Sequence, residues 1–226
     1  MNILIFGATG MVGQGVLREC LLAADVERVQ TVGRTATGQR YPKLHEIMHG
    51  DLWNYGAIEP QLQNFDACFL CLGVSSSRMA EAQYTHMAYD LTLAAARTLQ
   101  RLHPRMIFVY VSGAGTDGTA QSRSMWARVK GRTENALLAL PFKAAYLFRP
   151  GVIQPLHGAR FKTASHRLIY AVTKPLLPVL RLIFCNFVLT TEMVGEAMLA
   201  VARHGANQAV LEAGDISAIC ATAARS

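Results

Sequence analysis

The 226-residue chain is predicted to be α/β, a single domain built on a doubly wound parallel sheet. Three observations carry this reading. Short, continuous apolar runs alternate with longer stretches of helical period, as they do when strands are buried on both faces. The first apolar run enters a glycine turn, GATGMVG, that opens a helix. Hydrophobic residues make up 51% of the chain, with no internal repeat, low-complexity tract or linker to divide the core.

The elements follow in order. ILIF reads as the first strand and Met11 to Ala24 as a helix. RVQTVG is a second strand, LHEIMHGD a weaker third and DACFLCLG a fourth. A long helix is predicted next, because Tyr84, Met87, Ala88, Leu91, Ala95, Leu99 and Leu102 recur at steps of three and four. RMIFVYVSG is a β-rich fifth strand, and SMWARVKGRTENALLAL a helix capped by Ser122 or Ser124. KAAYLF gives a sixth strand ending at RPG. TTEMVGEAMLAVARHG is a helix with Thr at its start and Gly205 at its end, and QAVLE a last strand.

The net charge of +7 and pI near 9.4 fit an anionic small molecule. Lys and Arg are scattered rather than gathered in a run, which argues against nucleic acid. The five cysteines form no compact framework, and MNILIFGATG begins as a strand rather than a leader, so a reduced, cytoplasmic setting is expected. The segment from about 161 to 189 is the least patterned. Its apolar part, Leu168 to Leu189, is broken by Lys174, Pro175, Pro178 and Arg181, so no transmembrane segment is expected there. A flap, a homodimer surface and a substrate-pocket wall are the main readings left open for it, with peripheral membrane contact a lesser one.

The glycine turn is where the chemistry begins. Gly7 permits the tight turn, Gly10 lets backbone approach a diphosphate, and Gly13 allows close packing of helix on strand. Thr9, Met11 and Val12 complete the candidate diphosphate contacts, through amides at a helix N-terminus. An acid at the end of the second strand would bind the ribose hydroxyls of NAD, but here Arg34 follows Gly33. A guanidinium suits a 2′-phosphate, so NADP(H) is favoured over NAD(H), with Arg40 and Lys43 as assistants. Asp51 and Leu52 end the third strand, where the adenine would lie. Leu72 and Gly73 end the fourth, beside the first, where a dinucleotide crosses the sheet.

GATGMVG, the Ser of YVSG, the lysine of WARVKG and FRPGVI occur in an order that resembles the short-chain dehydrogenase/reductase superfamily. The TGxxG turn, the short length and the TTEMVGEAM helix resemble its atypical branch, similar to Tat-interacting oxidoreductases and the NAD-dependent epimerase/dehydratase family. The resemblance implies a Rossmann fold over almost the whole chain. It implies that Ser112 bonds the substrate oxygen, that Lys130 holds the nicotinamide ribose, and that Pro150, Gly151, Val152 and Ile153 receive the carboxamide. Trp126 stands where the family has its catalytic tyrosine, and no tyrosine lies between Tyr110 and Tyr146 to replace it. Trp126 and Lys130 share a helix face, but an indole N–H does not release a proton as a phenol does.

Two functions stay open at this point. One is an oxidoreductase acting on an unidentified carbonyl or hydroxyl compound, with its proton from water, Ser112, Ser75, Tyr84 or Tyr89. The other is an NADP(H)-sensing regulator or partner-binding protein without chemistry. The CFLC pair, Cys68 and Cys71, reads as core thiols, since i and i+3 on a strand face opposite ways, and no histidine spacing forms a metal site.

Overall fold

The computed structural model describes residues 1–159 and 187–223. Its main sheet has seven strands in the order β3-β2-β1-β4-β5-β6-β9. These are β1 (Asn2–Phe6), β2 (Arg28–Gly33), β3 (Leu44–Met48), β4 (Ala67–Leu70), β5 (Ile107–Val111), β6 (Ala144–Arg149) and β9 (Val210–Glu212). All neighbours pair in parallel. The chain runs outward from β1 to β3 and then crosses back to place β4 on the other side of β1, so the direction of winding reverses between β1 and β4.

Alternation along β1 sorts the core into two layers. Ile3 and Ile5 enter a cluster with Val16, Leu17, Val194, Met198 and Ile216, from α1 (Met11–Leu22), α5 (Thr191–His204) and α6 (Ala213–Ala223). Leu4 and Phe6 enter the opposite cluster with Leu91, Leu93, Leu99 and Leu137, from α3 (Leu91–Leu102) and α4 (Met125–Leu138). This is the doubly wound Rossmann architecture that the alternating pattern predicts.

Several details differ from expectation. Helix α1 stops at Leu22 rather than Ala24. The long helix is built in three parts: α2 (Glu81–Thr85), a widened π turn (His86–Asp90) and α3. A 3₁₀ turn (Gly56–Gln61), helix α6, and a two-stranded parallel sheet of β7 (Val152–Gln154) with β8 (Val188–Thr190) had no counterpart in the reading of the sequence. Helix α6, AGDISAICATA, mixes Gly, Asp, Ser and β-branched residues, and its buried face of Ala213, Ile216 and Cys220 contrasts little with the alanines on its other sides. Of the segment expected to form a flap, only residues from 187 onward lie within the described part. Thr190 caps α5 by accepting the Met193 N–H at 3.1 Å, and Gly205 ends the helix at φ +76°.

Candidate functional site

The turn after β1 is held by backbone geometry. Gly7 has φ +77°, and a Cβ there would lie 2.7 Å from the Cys71 carbonyl group, so its lack of a side chain lets the end of β4 close against the turn. Gly13 is more tightly constrained, since its Cβ would lie 2.1 Å from the Gly7 oxygen. Gly10 is different: only the Gly7 oxygen, at 3.2 Å, would touch its Cβ. Gly10 occupies the N-cap of α1 and supplies no side-chain cap, and the first turn carries no acidic residue. The Gly10 N–H donates to the Gly7 carbonyl at 2.9 Å, so it is the first-turn amides beyond it that are left to a ligand, and the partial positive end of the helix favours an anion. These features fit the diphosphate of a dinucleotide.

A groove of about 490 Å³ opens at this turn, where the winding reverses. Gly7, Thr9, Gly10, Arg34, Leu52, Leu72 and Gly73 all line it. Met11, Val12 and Gly13 form the first turn of α1 and are not among its lining residues. Arg34 is exposed and is the one charged residue among the described residues of the lining. Its loop is fixed by Glu46, whose Oε2 accepts the Thr37 N–H at 2.8 Å. Lys43 is not an assistant: its ammonium donates to the Ala23 and Val26 carbonyls at 2.6 and 2.9 Å, tying down the connection before β2. Arg40 borders a separate depression with Tyr41 and Pro42.

Asp51 does not line the groove either. Its Oδ1 accepts the Trp53 N–H at 3.0 Å in a local turn, a common use of Asp in loops. Trp53 itself lines the groove, as do Thr31, Thr35, Val74 and Met87, none of which the sequence singled out. The signal for Trp53 was its position directly after Asp51 and Leu52.

The second group of candidates lies beyond this lining. Ser112, 9% exposed, sits just past β5 with its Oγ 3.1 Å from Thr116 Oγ1, which in turn donates to the Gly113 carbonyl at 2.8 Å. Because the Thr116 proton is so committed, the Ser112 hydroxyl donates to Thr116 and offers lone pairs outward. Ser124 stands at the N-cap of α4 without a side-chain cap bond; the Ser122 carbonyl instead accepts from Arg128. The benzo ring of Trp126 packs over the loop after β5, where a Cβ on Gly115 would lie 3.3 Å from its Cη2.

Lys130 projects its ammonium to Tyr110, with Nζ 3.4 Å from the phenol oxygen and 5.2 Å from the ring centre. No carboxylate among the described residues pairs with it. Burial lowers the Lys130 pKa, and nearby Tyr84 and Glu134 partly restore it. Tyr84 is buried against Val129 and Trp126 in a small cluster. Burial raises its pKa, and Lys130 pulls it partly back. Arg128 and Arg132 both bond Glu81, and Arg132 also reaches Thr85 Oγ1, so α2 is strapped to α4 on either side of Tyr84. No tyrosine adjacent in sequence compensates for Trp126, yet two from other elements flank its lysine. The period of two along β5, which puts Tyr110 on the same side as Ser112, was the available signal for one of them.

The stretch Pro150 to Ile153 is engaged with protein. The Pro150 carbonyl accepts the Ala114 N–H at 3.0 Å, and Val152 N–H donates to Phe187 O at 3.2 Å. A Cβ on Gly151 would lie 2.6 Å from the Phe187 oxygen, and Ile153 pairs with Leu189. Cys68 and Cys71 are free thiols facing opposite layers, and burial pushes the Cys71 pKa up to about 12.

An uncapped helix turn, a glycine cradle and a groove where the winding reverses define a nucleotide-binding α/β protein. The family model described as NAD dependent epimerase/dehydratase family matches residues 3–132, and the chain belongs to that family, whose members depend on a nicotinamide dinucleotide. Among curated proteins it is similar to "Protein FMP52-2, mitochondrial" of Scheffersomyces stipitis, 26% identical over 172 residues, covering 75% of this chain and 73% of that protein. It is also similar to "Protein FMP52, mitochondrial" of Eremothecium gossypii, 29% identical over 157 residues, covering 68% and 66%. Matches of this kind span about two thirds to three quarters of the relatives' length.

Among solved structures, the fold is shared with the dTDP-glucose 4,6-dehydratase DesIV from Streptomyces venezuelae with NAD and TYD bound. That likeness has TM-score 0.71 and 14% identity, over 100% of this chain and 80% of that one. A short-chain dehydrogenase/reductase from Saccharomyces cerevisiae gives TM-score 0.67 and 14% identity, over 96% and 97%. The expected cytoplasmic setting is corrected by the relatives, whose names are those of mitochondrial proteins. No helix among the described residues is long and apolar enough to cross a membrane.

Proposed function

We propose that the protein is an NADP(H)-dependent oxidoreductase acting on a carbonyl or hydroxyl compound, with Trp126 in place of the usual catalytic tyrosine. The observation that carries this reading is Arg34, a guanidinium on a pinned loop of the groove, at a strand end that bears no acid. It would take the 2′-phosphate by charge-assisted hydrogen bonds. The first-turn amides of Met11, Val12 and Gly13 would hold the diphosphate, and Leu52, Leu72 and Gly73 the adenosine side. Lys130 would hold the nicotinamide ribose, and Ser112 would accept from a substrate hydroxyl or turn its own proton from Thr116 to a substrate carbonyl. The bound dinucleotide supplies hydride exchange. The relatives' names carry a mitochondrial setting into the same reading.

Trp126 favours a second reading, a cofactor-binding regulator without turnover. Its indole releases no proton and is packed against Gly115. Loss of a general acid costs about 10²–10⁴-fold in rate, which leaves a slow enzyme workable. Oxidation of NADPH across a panel of aldehydes, ketones and their alcohols tests both: turnover supports the enzyme, while tight NADPH binding without turnover supports the regulator and overturns the first reading.

A further inference from the structure

We infer that Trp53 is the platform on which the adenine ring stacks, and that Asp51 and His86 serve to position it; this rests on the dinucleotide reading of the groove. Trp53 is the one aromatic residue among the described lining of that groove, and it is 37% exposed. An exposed indole is ordinarily mobile, but this one is fixed at three points. Its backbone N–H is held by Asp51 Oδ1 at 3.0 Å, and its Nε1–H donates to the His86 carbonyl at 3.3 Å. Its ring lies on the His86 imidazole with centres 4.9 Å apart and planes 8° from parallel. His86 is anchored in turn by Asp90, Nδ1 to Oδ2 at 3.1 Å.

The π turn explains how a helix carbonyl comes to accept an indole. In this widened turn the His86 carbonyl receives the N–H of Leu91, five residues on, and the carbonyl also takes the indole Nε1–H of Trp53. The same turn sends Met87 into the groove lining, next to Leu91. Helix, loop and indole thus form one wall of the groove, with a flat aromatic surface rigid before any ligand arrives. Such a surface suits a purine base, whose faces stack on aromatic side chains, and it lines the same groove as Arg34, the one charge among the described lining residues. The carboxylate of Asp51, expected from sequence to meet the adenine amino group, is instead spent on orienting Trp53.

Fluorescence tests the assignment, because the chain holds only two tryptophans, Trp53 and Trp126. In the Trp126→Phe protein, titration with 2′,5′-ADP should quench the remaining emission, and nicotinamide mononucleotide should not. By calorimetry, Trp53→Leu should weaken 2′,5′-ADP by about tenfold or more, the value of one stacked base, while Trp53→Tyr retains most of the affinity. Asp51→Asn, which keeps the acceptor for the Trp53 N–H, should bind nearly as well as the parent, and Asp51→Ala less well. Calorimetric binding of 2′,5′-ADP with no change in Trp53 emission, or with unchanged affinity in Trp53→Leu, overturns the platform and leaves the dinucleotide reading standing. Equal losses in Asp51→Asn and Asp51→Ala overturn the positioning role of Asp51. Absence of binding by 2′,5′-ADP, NADPH and NADH alike overturns the platform together with the dinucleotide reading.

Discussion

Arg34 and Lys130 are cations in opposite circumstances. Arg34 is exposed, on a loop fixed by Glu46, and its value lies in what it meets. Replacing it by Glu should weaken NADPH by roughly tenfold or more while leaving NADH much less affected, given about 1.5–3 kcal/mol for a hydrogen bond to a charged group. Equal loss for both cofactors would contradict the assignment to the 2′-phosphate. Lys130 is partly buried against Tyr110 with no carboxylate partner among the described residues, and burial lowers its pKa. The unfolded chain therefore holds this proton more tightly than the folded one. Stability should rise with pH from the lowered folded value to the ordinary lysine value near ~10.4, and the penalty is fully present below both. Lys130→Met should accordingly raise the neutral-pH melting temperature, by roughly 2–4 °C for each kcal/mol relieved, and flatten the alkaline rise. With Lys130 holding the nicotinamide ribose as proposed, the same variant should lose any turnover while gaining stability.

The glycine turn separates two kinds of glycine within one element. Gly13→Ala drives a Cβ to 2.1 Å from the Gly7 oxygen, so α1 must shift on β1. A loss of several degrees in melting temperature is expected, even without ligand. Gly10→Ala meets only a 3.2 Å contact, so the protein should fold and lose cofactor affinity instead. A ligand-free melting curve for each variant, followed by calorimetry with NADPH, checks the pair. Element by element, the pattern of the chain is most legible where burial is complete. The alternating core of β1 and the Thr190 cap of α5 follow from side-chain period and capping chemistry. The π turn does not, because the indole whose N–H its His86 carbonyl accepts comes from residue 53, far away in the chain. Nor does the β7–β8 pair, whose partners lie far apart in the chain.

At the scale of the whole molecule, Arg149 joins β6 to α4 and β9. Its Nη2 bonds Glu134 at 2.5 Å and its Nη1 bonds Glu212 at 2.9 Å. Glu134 is 1% exposed, so Glu134→Ala leaves the Arg149 guanidinium with only the exposed Glu212 and should cost about 1.5–3 kcal/mol by urea denaturation. Ligand acts in the opposite sense. NADPH at about 100 times its dissociation constant should stabilise the fold by ~2.7 kcal/mol, a rise of roughly 5–10 °C in melting temperature. No shift at saturation would remove the basis of both functional readings. The sequence by itself determined the α/β class, the order of the principal strands, the glycine turn and the cationic strand end, since each depends on neighbours within a few residues. Tertiary structure alone decided that Asp51 supports Trp53, that Tyr84 and Tyr110 flank Lys130, and that Val152 N–H is taken by Phe187. Those outcomes depend on which side chains the packed sheet and helices bring within ångströms of each other, and local period and propensity do not encode that distance.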